Sequence, residues 1–444
     1  MNICHITRYC HVDGKAGTER YILELARSLK REGHAGSIAW LCGQQAPPEI
    51  TPEETPVLPI PSPPAQTGQP DAGFERQFVE TVLTTHRPDV AHFHTFGVAE
   101  HRIAALLTRE GIPYVFTYHS PAWSCRRETM LRWGDTVCDG EVRTLRCSAC
   151  KLQQRTKASP MLNYAGAALS GMVSLPARML PSGKLQRRIA FVADTKRFRM
   201  ALRSFLNDAS QVIACAPWSI AVLERNGAHR ERITHLPQGV PTDFVHAAES
   251  GHDTPINTDT FNVGYIGRVT SVKGVHLLVE AFARCDYPKA RLRLFGWQAD
   301  DYSQDYVNKV AAVAKHDPRI ETVPILEFEE MVDAYRQLSL VAIPSIWPET
   351  GPLVLLESLA LNIPVWGSSR LGQQSLLQDY GRVIEPNTID AWKQALEKAF
   401  QSHADGHVLR PPGNALDDGR MKRMADVGRD MVDIYARAVQ DPAS

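Results

Sequence analysis

The chain has 444 residues, with 49 Lys+Arg against 49 Asp+Glu, a formal net charge of zero, and ordinary apolar and charged fractions of 43% and 22%. That length exceeds most single cores, so two domains are expected, and the charge balance argues against a general nucleic-acid binder that gains affinity by neutralising phosphates. The amino end lacks a basic-then-apolar leader pattern and no window reaches the roughly 18 uncharged apolar residues of a spanning helix, so a cytoplasmic protein is expected.

In chain order, "NICHIT" and "GSIAWLC" have the character of short buried strands, and between them "TERYILELARSLKREGH" sets Tyr21, Ile22, Leu25 and Leu29 on one helical face, giving a β-α-β unit. The Pro-rich stretch Ala46–Pro70 is expected to be irregular. Strand candidates then recur at "DVAHFH", "IPYVFTYHS", "QVIACA" and "RITHLPQ", separated by helical segments, and this alternation predicts a mainly parallel α/β sheet. From about residue 120 to 207 the rhythm gives way to cysteines, basic residues and small apolar residues, read as an insertion. A polar segment, Thr242–Thr260, is read as a linker. The alternation resumes with "FNVGYIGR", "RLRLFGW", "IETVPI", "LSLVAIPS" and "IPVWGS", and the chain closes on the amphipathic "MKRMADVGRDMVDIYARAV". The expected division is residues 1–240 for a first Rossmann-like domain, which also receives a closing helix at about 420–444, and 241–419 for a second.

Chemistry concentrates in "PSIWPETGPLVLLESLALNIPVWGSS". Pro352 suits the first turn of a helix that follows a buried strand, and the open N–H groups near Gly351, Leu353 and Val354 face the strand's carboxyl end, where ligands bind in open α/β sheets. Glu357 lies about one turn into that helix, where its carboxylate is placed to accept from a vicinal diol, and Glu349 lies in the loop before it. The bland alternative is that both acids merely favour the helix dipole or are solvated. In "YIGRVTSVKGVHLLVEAF" a second strand–turn–helix sets Gly267 and Arg268 beside Lys273, two cations within reach of one diphosphate or simply solvated.

Together the two stretches resemble the retaining glycosyltransferases of family four, the GT-B type of glycosyltransferase group 1. "PETGPLVLLESLALNIPV" matches that family's Glu-x7-Glu pattern at Glu349 and Glu357, downstream of "GR…KG" at Arg268 and Lys273, while "AGTERYILELARSLKREGH" is similar to its first glycine loop and helix, with Gly17 kept. The resemblance implies two Rossmann-like domains facing a central cleft and a carboxyl-terminal helix crossing back to the first domain. It implies donor binding by Gly17, Gly267, Arg268, Lys273, Gly351, Pro352, Leu353 and Glu357, and catalytic roles for Arg268, Lys273, Glu349 and His119. His119 ends "VFTYHS"; a strand-end histidine is otherwise most often a satisfied core residue. The implied reaction moves a hexose from a nucleotide-diphosphate sugar to a glycan or lipid-linked saccharide, in cell-surface polysaccharide or glycolipid synthesis, with Arg and Lys rather than a catalytic metal neutralising the diphosphate. A nucleotide-sugar epimerase of the same architecture and a non-catalytic glycan-binding relative are the alternatives. Ala16, Gln238, Gln298 and Pro324 depart from the family's usual residues.

Within the insertion, Cys125, Cys138, Cys147 and Cys150 follow C-x12-C-x8-C-x2-C, a spacing that suits either a structural tetrahedral zinc site or free, redox-active thiols. From Lys184 to Arg203 there are seven basic residues against one acid, interleaved with Phe191, Phe198 and Leu202. This is the pattern of a peripheral membrane contact over about 184–205 at the inner membrane face, or of a solvated basic helix packed on its domain.

Overall fold

A computed structural model of the chain describes residues 1–8, 17–42, 56–61, 72–173, 191–250, 259–297 and 304–441. It separates into two compact units, one formed by Met1–Pro237 with Ala425–Ser444 and the other by Gln238–Met424.

The amino-terminal unit is built on strands β1 (Asn2–Thr7), β2 (Ala35–Cys42), β3 (Val57–Pro61), β4 (Val90–Phe93) and β5 (Tyr114–Tyr118). A small ribbon of β6 (Leu131–Arg132) and β7 (Thr136–Val137) precedes β8 (Gln211–Ala214) and β9 (Ile233–His235). Apart from the ribbon these form one seven-stranded parallel sheet in the order β3-β2-β1-β4-β5-β8-β9. Helices Gly17–Arg31, Ala72–Thr85, Val98–Arg109 and Phe191–Asn207 alternate with the strands. Phe93, Tyr114, Phe116 and Phe205 form an edge-to-face aromatic cluster at its centre, all but inaccessible to solvent.

Two expectations fail here for identifiable reasons. Val57–Pro61, inside the stretch read as irregular, pairs with β2. It is an edge strand, and a proline's missing N–H is harmless where only one side of a strand is paired. Thr242–Glu249, read as linker, is a helix in the second unit because its short polar run hides Phe244 and Val245, both buried in that unit's core.

The carboxyl-terminal unit contains β10 (Phe261–Ile266), β11 (Ala290–Phe295), β12 (Ile320–Val323), β13 (Leu340–Ile343), β14 (Val365–Ser368) and β15 (Arg382–Ile384), parallel in the order β12-β11-β10-β13-β14-β15. Alternate residues of β13 enter opposite cores: Val341 and Ile343 join one, Leu340 and Ala342 the other. The order reverses between β10 and β13, so the helices that follow these two neighbours pack on opposite faces of the sheet, Val275 and Leu278 in one core and Leu355 and Leu356 in the other.

Helix Met424–Gln440 returns to the amino-terminal unit. Tyr435 Oη lies 2.7 Å from His92 Nδ1, and Gly428 passes so close to helix Gly17–Arg31 that an added Cβ would lie 2.1 Å from Ser28 Oγ.

Candidate active site

The loop that leaves β10 turns on backbone that favours glycine. After β10, Gly267 takes φ +139° and Gly274 takes φ +70°, the latter ending the short 3-10 turn Ser271–Lys273 and opening helix Val275–Ala283. A Cβ on Gly274 would lie 2.1 Å from the carbonyl oxygen of Pro344, the first residue after β13, so the two loops run in backbone contact. Ile346 N donates to Val272 O at 2.8 Å, and Asn387 Nδ2 donates to the carbonyls of Pro344 and Ser345 at 3.0 and 3.1 Å.

That seam brings Lys273 and Glu349 together across 76 residues of sequence. Lys273 Nζ lies 2.9 Å from both Glu349 carboxylate oxygens, with the lysine side chain 22% and the glutamate 7% exposed. Ser345 Oγ donates to the same carboxylate, and Glu349 N donates to Arg370 O at 2.9 Å. The ammonium also stands 5.8 Å from the Trp347 ring centroid. Arg268, by contrast, is exposed and makes no ion pair with a described residue; its carbonyl accepts from Tyr265 Oη at 2.7 Å, which fixes the turn while leaving the guanidinium at the surface.

Pro352 caps helix Leu353–Ala360 in extended backbone, with no side chain serving as cap. The first intrahelical donor is Leu355 N, to Pro352 O at 3.0 Å, so the N–H groups of Gly351, Leu353 and Val354 head the helix. Glu357 is buried on the helix and accepts from Tyr335 Oη at 2.6 Å, a residue of helix Phe328–Arg336 that is itself wholly buried. Beside Gly351, Gln238 accepts at its backbone carbonyl from Gln373 Nε2 at 3.1 Å. The side-chain oxygens of both glutamines and the Trp347 indole N–H are buried with no hydrogen-bond partner among the described residues. Such atoms, beside an open helix start, are available to hydrogen-bond a polar ligand.

Tyr335, Ser345, Arg370 and Gln373 carry no sequence signal: each lies in an ordinary amphipathic helix or polar loop and acquires its place through the strand order. Gln238 was visible as a departure from the family's usual residue.

In the amino-terminal unit Gly17 begins the first helix and is exposed. Ala16, Gln298 and the basic residues 184–190 lie outside the described residues. The described remainder of that basic segment, Phe191–Asn207, turns Phe198, Leu202 and Phe205 into the core.

His119 is 6% exposed and belongs to a chain of imidazoles: its Nε2 is 3.0 Å from His94 Nδ1, whose Nε2 is 3.0 Å from His5 Nδ1. His92, the register partner of His5, has its ring centroid 3.9 Å from that of His94 at a tilt of 39° and bonds Thr117 Oγ1 and Tyr435 Oη, each at 2.7 Å. Burial pushes His5 and His119 down to about 3 and holds His92 and His94 well below the ordinary histidine value, the neighbouring imidazoles adding to the effect on the latter two. All four are neutral near pH 7. Cys125, Cys138, Cys147 and Cys150 line one small cavity.

Residues 248–410 match the family model for glycosyl transferases group 1, and residues 16–153 match that for the glycosyl transferase 4-like domain. Among curated proteins, the exopolysaccharide phosphotransferase of Streptomyces coelicolor is 28% identical over 211 residues, 46% of this chain and 20% of that protein. The D-inositol 3-phosphate glycosyltransferase of Pseudarthrobacter chlorophenolicus is 26% identical over 221 residues, 48% of this chain and 52% of that one. The chain thus spans from a fifth to about half of the length of these relatives. Among solved structures, Anabaena HepE in complex with UDP and glucose superposes with TM-score 0.63 at 15% identity, covering 98% of this chain and 99% of that one. The chain accordingly carries a glycosyl transferase 4-like domain in its amino-terminal unit and a glycosyl transferases group 1 domain in its carboxyl-terminal unit, on the GT-B fold.

Proposed function

We propose that the protein is a retaining glycosyltransferase that moves a hexose from a nucleotide-diphosphate sugar to a glycan or lipid-linked saccharide, the carboxyl-terminal unit binding the donor and the amino-terminal unit the acceptor. The observation that carries this reading is the convergence of Lys273, Glu349, the open start of helix Leu353–Ala360 and Glu357 at the carboxyl ends of β10 and β13.

Breaking a sugar's bond to a diphosphate builds negative charge on the leaving oxygen. Lys273 and the N–H groups of Gly351, Leu353 and Val354 are fixed before the reaction, so they favour the charged transition state over the ground state, and the exposed Arg268 closes on the diphosphate from the surface. These cations take the neutralising role that the family resemblance assigns them. Glu357, oriented by Tyr335, is placed as an acceptor for the ribose diol. Glu349 holds hydroxyls of the transferred sugar, its carboxylate held in place by the ion pair with Lys273. For retention, a diphosphate oxygen takes the acceptor's proton on the face from which the leaving group departs. Anabaena HepE, solved with UDP and glucose, supports a nucleotide-sugar donor. For a lipid-linked acceptor, Met161, Leu162 and Leu169, exposed on helix Pro160–Val173, supply apolar surface suited to a membrane face.

The reaction is tested by incubating the protein with a panel of labelled nucleotide sugars and acceptor extracts. Label on an acceptor with the donor's anomeric configuration supports the reading. Isomerised free donor would instead indicate an epimerase, and donor binding without turnover a binding protein.

A further inference from the structure

The four cysteines of the insertion lie on three local structures that border one cavity. Cys125 follows the 3-10 turn Pro121–Ser124, Cys138 follows β7, and Cys147 and Cys150 are three apart on helix Thr144–Thr156, hence on one face near its start. All four line a single cavity of about 30 Å³, together with Arg126, Arg127, Arg132 and Arg146.

Each sulfur also faces a backbone amide. Arg127 N donates to Cys125 Sγ at 3.4 Å, Trp133 N to Cys150 Sγ at 3.4 Å and Arg143 N to Cys147 Sγ at 3.3 Å, while Gly140 N donates to Cys138. For Cys125 and Cys138 the donor is two residues downstream. For Cys150 it is Trp133 in the β6–β7 turn, where Trp133 and Gly134 adopt φ +59° and +103°. Trp133 has no glycine's freedom, so that left-handed turn is held by its surroundings, and it aims an N–H at a thiol. A neutral thiol gains little from an amide donor, whereas a metal-bound thiolate is stabilised by one.

We propose that Cys125, Cys138, Cys147 and Cys150 bind one structural zinc ion that staples the β6–β7 ribbon to helix Thr144–Thr156. Each thiol releases its proton to solvent as its Zn–S bond forms, with no change of oxidation state. The closed four-sulfur set leaves no position for substrate. Four thiolates and one Zn²⁺ carry a net charge of −2, and the cavity's arginines offset it. Arg127 is fixed there by bonds from Nη1 to Cys150 O and Gln153 Oε1, at 2.9 and 2.8 Å. Among the described residues, the group whose ligand atoms all fall within 4.8 Å of one another is His5, His92 and His94. Those imidazoles already bond to one another and to Thr117 and Tyr435, whereas the Cys138 and Cys147 thiols donate only long bonds, at 3.5 Å to Asp139 Oδ1 and 3.8 Å to Glu141 O, which are given up as the sulfurs draw together on the ion.

The test is metal analysis of the full chain purified under reductant, followed by cobalt substitution. One zinc per chain is expected, with thiolate-to-metal charge-transfer and tetrahedral d–d bands in the cobalt form. Removing the metal with a chelator is expected to lower Tm by several degrees, reversed by zinc alone. Cys147→Ser with Cys150→Ser should lose stoichiometric metal, and His94→Asn should keep it. Absence of zinc together with no Tm response to added zinc, or a cobalt spectrum without thiolate bands, would overturn the site. The cobalt spectrum of the unmodified chain decides even if the variants fail to fold. None of these readouts involves a nucleotide sugar, so the site stands or falls separately from the transferase reading.

Discussion

Lys273 and Glu349, 76 residues apart, meet in an ion pair whose ammonium lies 2.9 Å from both carboxylate oxygens. The pair exists because β10 and β13 are neighbours and Gly274 lets their exit loops touch. A lysine so held is positioned before any ligand arrives, and positioning in advance is what transition-state stabilisation requires. Lys273→Ala is therefore expected to lower kcat/KM by about 10²–10³-fold, in part through weaker donor binding, in steady-state assays of sugar transfer.

Tyr335→Phe removes the hydroxyl that donates to Glu357 while keeping the ring in the core. A lost hydrogen bond to a carboxylate costs about 1 kcal/mol or somewhat more, so nucleotide affinity should fall about fivefold by isothermal titration. Glu357→Ala should cost more.

Gly274→Ala places a methyl group 2.1 Å from the Pro344 carbonyl oxygen in backbone at φ +70°. The two loops must separate, and destabilisation of about 2 kcal/mol or more is expected in denaturant titration, along with weakened nucleotide binding. Gly33→Ala makes the comparison: its φ is +82° but no atom lies within 4 Å of the added Cβ. It should cost only the backbone strain, about 1 kcal/mol, and leave nucleotide affinity unchanged.

The buried imidazoles of His5, His92, His94 and His119 predict acid sensitivity. Their folded values are depressed, to about 3 for His5 and His119, against an ordinary 6.5. Below pH 6.5 the unfolded chain takes up protons that the folded one refuses. Their contribution is therefore complete above pH 6.5 and is lost as pH falls from there towards 3, with a limiting slope of about 1.4 kcal/mol per pH unit for each histidine. Denaturant midpoints of the amino-terminal unit at pH 7, 6 and 5 check this. A midpoint independent of pH over that range would show the cluster to be solvated.

Much of the fold was legible because buried parallel strands write themselves as short apolar runs, as at "NICHIT" and "LSLVAIPS", and a helix such as Gly17–Arg31 shows a clear apolar face. The edge strand Val57–Pro61 was hidden by its prolines, and helix Thr242–Glu249 by its brevity and polar outer face. At the candidate site, Glu349 and Glu357 stood out by their spacing around Gly351 and Pro352. Their partners did not, since Tyr335 and Ser345 reach them through tertiary contacts that no local pattern encodes. Likewise nothing in the sequence sets His5, His92 and His94 apart: two lie within strands and one just after β4, and only the register of β1 against β4 brings them together.

The most direct measurement is the thermal shift of the protein with a panel of nucleoside diphosphates and nucleotide sugars, run in parallel on Lys273→Ala and Glu357→Ala. At saturating ligand a nucleoside diphosphate should raise Tm of the unmodified protein by about 5 °C or more, and both variants should lose most of that shift. If no nucleotide shifts the unmodified protein, or if both variants respond as it does, the diphosphate is not held at the carboxyl ends of β10 and β13.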